Sequence, residues 1–151
     1  MRIDIGTEQL ILFEDMSEPN NIAIRGSSGS GKTHQVLKIA KQVNPCKVIV
    51  VSDHVEDYSC ILPNIEIHSV IDFMMDSSNA IIVFDCPRLI SSVYDYIDRL
   101  NKTSRFKNSI VITIWNDISV ENSIIMNCKY IIDTSMEVLP SGLRAYKVGV
   151  R

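Results

Sequence analysis

The 151-residue chain lacks most of the features that would set it apart from ordinary globular proteins. No apolar run approaches the roughly 18 residues a membrane-spanning helix needs. Met1-Arg2-Ile3-Asp4 opens the chain without the continuous apolar core of a signal peptide. Cysteine is sparse: Cys46, Cys60, Cys86 and Cys128 are scattered, with no C-x-x-C pair. That argues against a disulfide frame or a zinc site and predicts reduced, buried thiols in an intracellular, cytoplasmic protein without a membrane partner. An excess of positive charge is missing too. At a net charge of −3 the chain is not a globally basic nucleic-acid binder, so any polyanion contact must come from local clusters. Repeats, low-complexity tracts and linkers are absent. The chain is 46% hydrophobic and 22% charged, which predicts one domain over 1–151 with a core of its own.

One stretch stands out from this plain background. Gly26-Ser27-Ser28-Gly29-Ser30-Gly31-Lys32-Thr33 fits G-x-x-x-x-G-K-[ST] without a mismatch. The apolar run Asn21-Ile22-Ala23-Ile24-Arg25 precedes it as a candidate strand, and 33–43 reads as a helix. Strand, glycine loop and helix together are the context of a phosphate site. Glycines at 26, 29 and 31 let successive amides turn inward toward phosphate oxygens. The helix behind adds its free N–H groups and the positive end of its dipole. Lys32 would reach the β- and γ-phosphates of ATP, and the Thr33 hydroxyl would ligate Mg²⁺. His34, in the first helical turn, would line the nucleotide.

Further strands are expected from branched aliphatic runs: 47–52, 80–85, 109–117 and 130–133. Such runs suit strands buried on both faces, as in a parallel sheet under helices. Ile65-Glu66-Ile67 reads as a brief strand. Helices are expected over 70–76, 87–100 and 118–126. Residues 2–5 and 9–13, around Gly6-Thr7, read as a hairpin or an added edge strand, and 143–150 as an edge strand or hairpin arm. Strands alternating with helices predict a three-layer α/β domain with a mostly parallel sheet and β elements at both ends of the chain.

Asp85 ends the run Ala80-Ile81-Ile82-Val83-Phe84-Asp85, at the carboxyl end of a strand, where ligands of open α/β sheets bind. It fits a Walker B acid holding Mg²⁺ opposite Thr33. The usual place for a water-activating Glu is the next residue, here Cys86, which cannot serve. Asp53 and Glu56 are the other candidates for a base, or plain loop charges. Asn116 closes the strand 109–115 and suits a sensor of the γ-phosphate, or a turn. Trp115 reads as structural or as a cover near the site. Arg99, Lys102, Arg105 and Lys107 form a basic cluster. It is a solvated helix end, the source of an arginine finger from Arg105 into a neighbouring subunit, or a contact to a nucleic-acid backbone, with Arg88 as a second finger candidate. Arg144, Lys147 and Arg151 are tail charges that serve solubility or touch nucleic acid, and His54 and His68 lack metal spacing.

In this order the parts resemble the HerA–FtsK group of P-loop ATPases, which includes viral genome-packaging ATPases. NIAIRGSSGSGKT resembles the group's first strand and Walker A, VIVVSDHVEDY its second strand and acidic motif, and AIIVFD its Walker B. SRFKNSIVITIWND and NCKYIID resemble the fourth and fifth strands, followed by a terminal β element like SGLRAYKVGV. The resemblance spans about Asn21 to Asp133. It implies a RecA/ASCE-like P-loop NTPase and a ring-shaped homo-oligomer that moves double-stranded DNA. It also implies a capsid or portal partner, in host cytoplasm or virion. Two alternatives stay open: a small P-loop phosphotransferase with Asp53 as base, and a nucleotide-binding regulatory subunit without turnover.

Overall fold

Branched aliphatic residues dictate the frame. In Lys47-Val48-Ile49-Val50-Val51 both faces are apolar, and a strand uses both only when each is covered. The computed structural model describes residues 2–6, 9–12, 21–26, 31–43, 47–52, 58, 65–68, 79–85, 91–103, 109–116, 128–138 and 144–150. In chain order the elements are β1 (Arg2–Gly6), β2 (Gln9–Leu12), β3 (Asn21–Arg25), α1 (Lys32–Val43), β4 (Lys47–Val51), β5 (Ile65–His68), β6 (Ala80–Asp85), α2 (Ser91–Thr103), β7 (Ile110–Trp115), β8 (Tyr130–Val138) and β9 (Arg144–Val150).

Seven of these strands form one sheet in the order β5-β4-β6-β7-β3-β8-β9. The first six in that order are mutually parallel, and β9 closes the edge antiparallel to β8. Parallel neighbours cannot be joined by tight turns, so the connections must cross the sheet faces. The described crossovers do this as helices, α1 after β3 and α2 after β6. The expected mostly parallel three-layer α/β architecture is therefore what the chain adopts.

The core splits by strand alternation. Ile22, Ile24, Val48, Val50, Ile81, Val83, Ile112 and Ile114 face one layer with Val36, Ile39 and Ala40 of α1. Ala23, Ile49, Ile82, Phe84 and Val111 face the other with Tyr96, Ile97 and Leu100 of α2. Phe84 and Tyr96 meet edge to face, with ring centroids 6.2 Å apart at 83°. Outside that layer the Arg99 guanidinium lies 5.9 Å from the Tyr96 ring centroid, and Lys102 pairs with Asp98 one turn back at 3.1 Å. Both ionic ends are exposed, so they contribute little to stability. Cys128 packs as a buried thiol in the α2-side layer, as its isolation in sequence predicts.

Where the expected bounds shift, tertiary pairing explains the change. β8 runs on to Val138 because β9 returns along it, with a register irregularity between Asp133 and Glu137. The N-terminal hairpin forms, but as its own two-stranded sheet beside α1 rather than on the edge of the main sheet. The brief strand around Ile65 is β5, the far edge of the sheet. α2 continues past residue 100 to Thr103. Asn79, at φ 54, makes the left-handed turn into β6, a conformation asparagine tolerates better than most residues. The helices expected over 70–76 and 118–126 lie outside the described residues. Among the described residues no helix is long and apolar enough to cross a membrane.

Ile112 lies at the centre of β7, fully buried in the α1-side layer. Ile112→Ala should lower the free energy of unfolding by about 2–5 kcal/mol. Asp95→Ala, at an exposed position of α2, should stay within about 0.5 kcal/mol of the parent. Urea unfolding followed by circular dichroism checks both.

Candidate nucleotide site

The site begins where β3 ends. Arg25 stands in register with Trp115 of β7 on one side and Asp133 of β8 on the other. The chain leaves the sheet at Gly26, whose N–H donates to the Trp115 carbonyl at 3.0 Å. Gly31, directly before α1, has φ 96, where a side chain would be strained. The Gly31 carbonyl accepts the first helical hydrogen bond, from Gln35 N–H at 3.1 Å, so α1 starts from the loop itself. No acidic residue occupies the first turn of α1, which leaves the positive helix end without a carboxylate of its own there.

Lys32 is buried, at 7% exposure, and its Nζ donates to the Gly26 carbonyl at 3.1 Å. A buried ammonium needs acceptors, and this bond ties the far side of the loop to its mouth. Thr33, half-buried, follows in the same turn, and His34 is exposed. The four described members of the motif, Gly26, Gly31, Lys32 and Thr33, thus converge at one end of β3. Residues 27–30 lie outside the described residues.

Asp85 is the last residue of β6 and half-buried. It pairs in register with Ile114, and Trp115 pairs with Arg25, so β7 stands between β6 and β3. Two interstrand steps put Asp85 about 10 Å from the mouth of the loop, a gap that suits phosphates and a cation. Asn116 occupies the middle of that gap, exposed, directly after the residue that binds Gly26 N–H. The Asp85 Oδ2 accepts a hydrogen bond from the Tyr58 hydroxyl at 2.7 Å.

Two anchors escaped sequence reasoning. Arg25 forms an ion pair through Nε with Asp133 Oδ1, both side chains mostly shielded from water. Thr134 Oγ1 also donates to the Arg25 carbonyl at 3.3 Å, so the residue before the loop is tied to β8 twice. Tyr58 is the other. The only signal was a tyrosine after an acidic stretch, and nothing in its spacing pointed to Asp85. The structural role weighed for Trp115 fits its burial: the indole N–H donates to Thr113 Oγ1 at 2.9 Å. Gln35 is fully buried, and its side-chain amide has no hydrogen-bond partner among the described residues.

The remaining sequence candidates are not brought into view. Asp53, His54, Glu56, Cys86, Arg88, Arg105 and Lys107 lie outside the described residues. Arg99 and Lys102 are exposed on α2, and His68 closes β5, four strands from β3 in the sheet.

No protein-family profile matches the chain, and no curated protein matches its sequence. Solved structures match by shape. The RadB recombinase superposes with a TM-score of 0.54 at 17% identity, over 85% of this chain and 87% of its own. A Rhizobiales Trip13 gives 0.46 at 19% identity, over 77% of this chain and 45% of its own. C. elegans PCH-2 gives 0.45 at 13% identity, over 77% and 34%.

The chain has the RecA-like P-loop fold.

Within a P-loop fold the residues present suit a bound nucleotide. Gly31 sits where a Cβ would strain the cradle, the helix end lacks a competing acid, and Lys32, Thr33 and Asp85 supply a cation and two oxygen donors. Among the described residues no group of three His, Cys, Asp or Glu side chains would hold a metal by itself. A Mg²⁺ at Thr33 and Asp85 would complete its shell with phosphate oxygens and water.

Gly31→Ala should cost about 1–3 kcal/mol of stability, because its left-handed backbone disfavours a Cβ. The same change at exposed His34 should cost less than about 0.5 kcal/mol. Paired denaturation curves test this, and equal costs would show that the loop does not impose the left-handed conformation.

Proposed function

We propose that the chain is a Mg²⁺-dependent ATPase that works as a ring of identical copies to move double-stranded DNA, as viral genome-packaging motors do. The observation that carries the ATPase part is the uninterrupted G-x-x-x-x-G-K-[ST] pattern, whose described members Gly26, Gly31, Lys32 and Thr33 lie between β3 and α1, with Asp85 ending a strand two places away in the sheet. The DNA-moving part rests on the resemblance of successive segments to the HerA–FtsK group. The likeness to RadB supports the RecA-like scaffold such motors use.

In this reading each residue has a defined task. Backbone amides of the loop 26–33 and the N-terminus of α1 bind the phosphates, and Lys32 adds positive charge beside the β- and γ-phosphates. Thr33 and Asp85 would hold the metal, which when bound would offset negative charge on the phosphates. Asn116, from the middle of the gap, orients the attacking water, and His34 borders the nucleotide at the rim. Glu56 takes the proton from that water. It stands two residues before Tyr58, whose hydroxyl contacts Asp85, and it replaces the acid that Cys86 cannot supply. Arg105, with Arg88 as the alternative, reaches the γ-phosphate of a neighbouring copy. The ring acts in host cytoplasm or virion against a capsid or portal partner.

Cys86 favours a second reading, a subunit that binds nucleotide and relies on a partner for turnover. ATP hydrolysis by purified protein, with and without double-stranded DNA, separates the two. The motor reading expects stimulation by DNA that weakens as salt rises. It also expects kcat/KM to fall about 100-fold or more in Lys32→Ala. Tight ATP binding with no turnover in either condition would sink the stand-alone motor and favour the regulatory subunit.

A further inference from the structure

We infer that Tyr58 is the positioning residue for the metal-binding carboxylate, holding Asp85 through its hydroxyl so that the other oxygen faces the cation. The inference rests on the nucleotide-site reading above and gives Tyr58 a task there.

Three observations carry it. First, the Tyr58 hydroxyl donates to Asp85 Oδ2 at 2.7 Å, a well-formed hydrogen bond. Second, Tyr58 is fully buried and packs in the α1-side layer with Val50, Ile81 and Val83. Its ring is fixed by that packing, so the hydroxyl is a rigid post rather than a mobile tether. Third, the alternation along β6 that turns Ile81 and Val83 into this layer turns Asp85 the same way, toward the face that α1 covers. The phenol therefore meets the carboxylate on the side where Lys32 and Thr33 begin the helix.

The chemical consequence follows from how a carboxylate is built. It offers about four lone-pair directions on two oxygens, and an aspartate at a strand end can swing among staggered rotamers. A fixed donor on Oδ2 selects one of them and leaves Oδ1 for a metal. Outer partners of this kind commonly change metal affinity or activity by about 10–100-fold when removed. The bond also joins the segment after β4 to the end of β6, across 27 residues of sequence. The plainer account is that a core tyrosine gives its hydroxyl to the nearest acceptor, and the two accounts differ in what Tyr58→Phe does.

The test is the Mg²⁺ dependence of binding of a fluorescent ATP analogue to the full chain, measured for the parent, Tyr58→Phe, Asp85→Asn and the double variant. Tyr58→Phe should raise the Mg²⁺ concentration for half-saturation about tenfold, with nucleotide affinity in EDTA unchanged. Combined with Asp85→Asn it should add little further, since both changes act on one metal contact. An unchanged Mg²⁺ dependence would overturn the inference and leave Tyr58 as core alone. So would an equal loss of affinity with and without Mg²⁺. If the phenylalanine variant does not fold, fluorotyrosine at position 58 keeps both ring and hydroxyl. Its ¹⁹F resonance should move on adding Mg²⁺ to the nucleotide-bound protein, and a fixed resonance would be decisive against the inference. Parent protein that binds no nucleotide, like Lys32→Ala, would instead sink the site reading and this inference with it.

Discussion

β3 is hydrogen-bonded on both edges and covered on both faces, and the position of the phosphate loop depends on that. Its neighbours are β7 and β8, and Ile22, Ala23 and Ile24 are all fully buried. A strand held this way has almost no freedom at its carboxyl end. Gly26 inherits the rigidity, because its N–H continues the pairing with Trp115. The Arg25–Asp133 ion pair and the Thr134 hydroxyl add two ties on the β8 side. A phosphate cradle made of backbone amides would work only when its base is held in place, and the middle of a parallel sheet holds Gly26.

Charge at the site is arranged on the same frame. Lys32 would be a costly group to bury on its own, and the Gly26 carbonyl offsets part of that cost. The positive end of α1 opens beside it, free of acidic residues in its first turn. Asp85 stands opposite, held by Tyr58 from within the core. Positive and negative groups are thus kept apart by β7 rather than quenching one another in a direct ion pair. That separation is what an anionic ligand with a bound cation would require.

Much of the fold was legible because its signals are local. The runs at β3, β4, β6 and β7 are branched and apolar on both faces, which points to buried parallel strands. Asp85 and Asn116 were legible as polar residues closing such runs. The extension of β8 was not, because residues 134–138 become strand only through pairing with β9. The separate sheet of the N-terminal hairpin was hidden for a similar reason. Two short strands pair with each other by proximity, and whether they also join the main sheet depends on which edges are open.

The sequence by itself determined the phosphate loop, the alternation of strands and helices and the burial of both sheet faces. Each is encoded within a few residues by glycine freedom, side-chain branching or periodicity. Only the tertiary structure decided that β7 lies between β3 and β6, and so that Asn116 stands between loop and acid. It alone brought Tyr58 to Asp85 across 27 residues and Arg25 to Asp133 across 108. Strand order is chosen by how helices cover the sheet and how crossovers close, and those energies belong to the whole chain rather than to any one stretch of it.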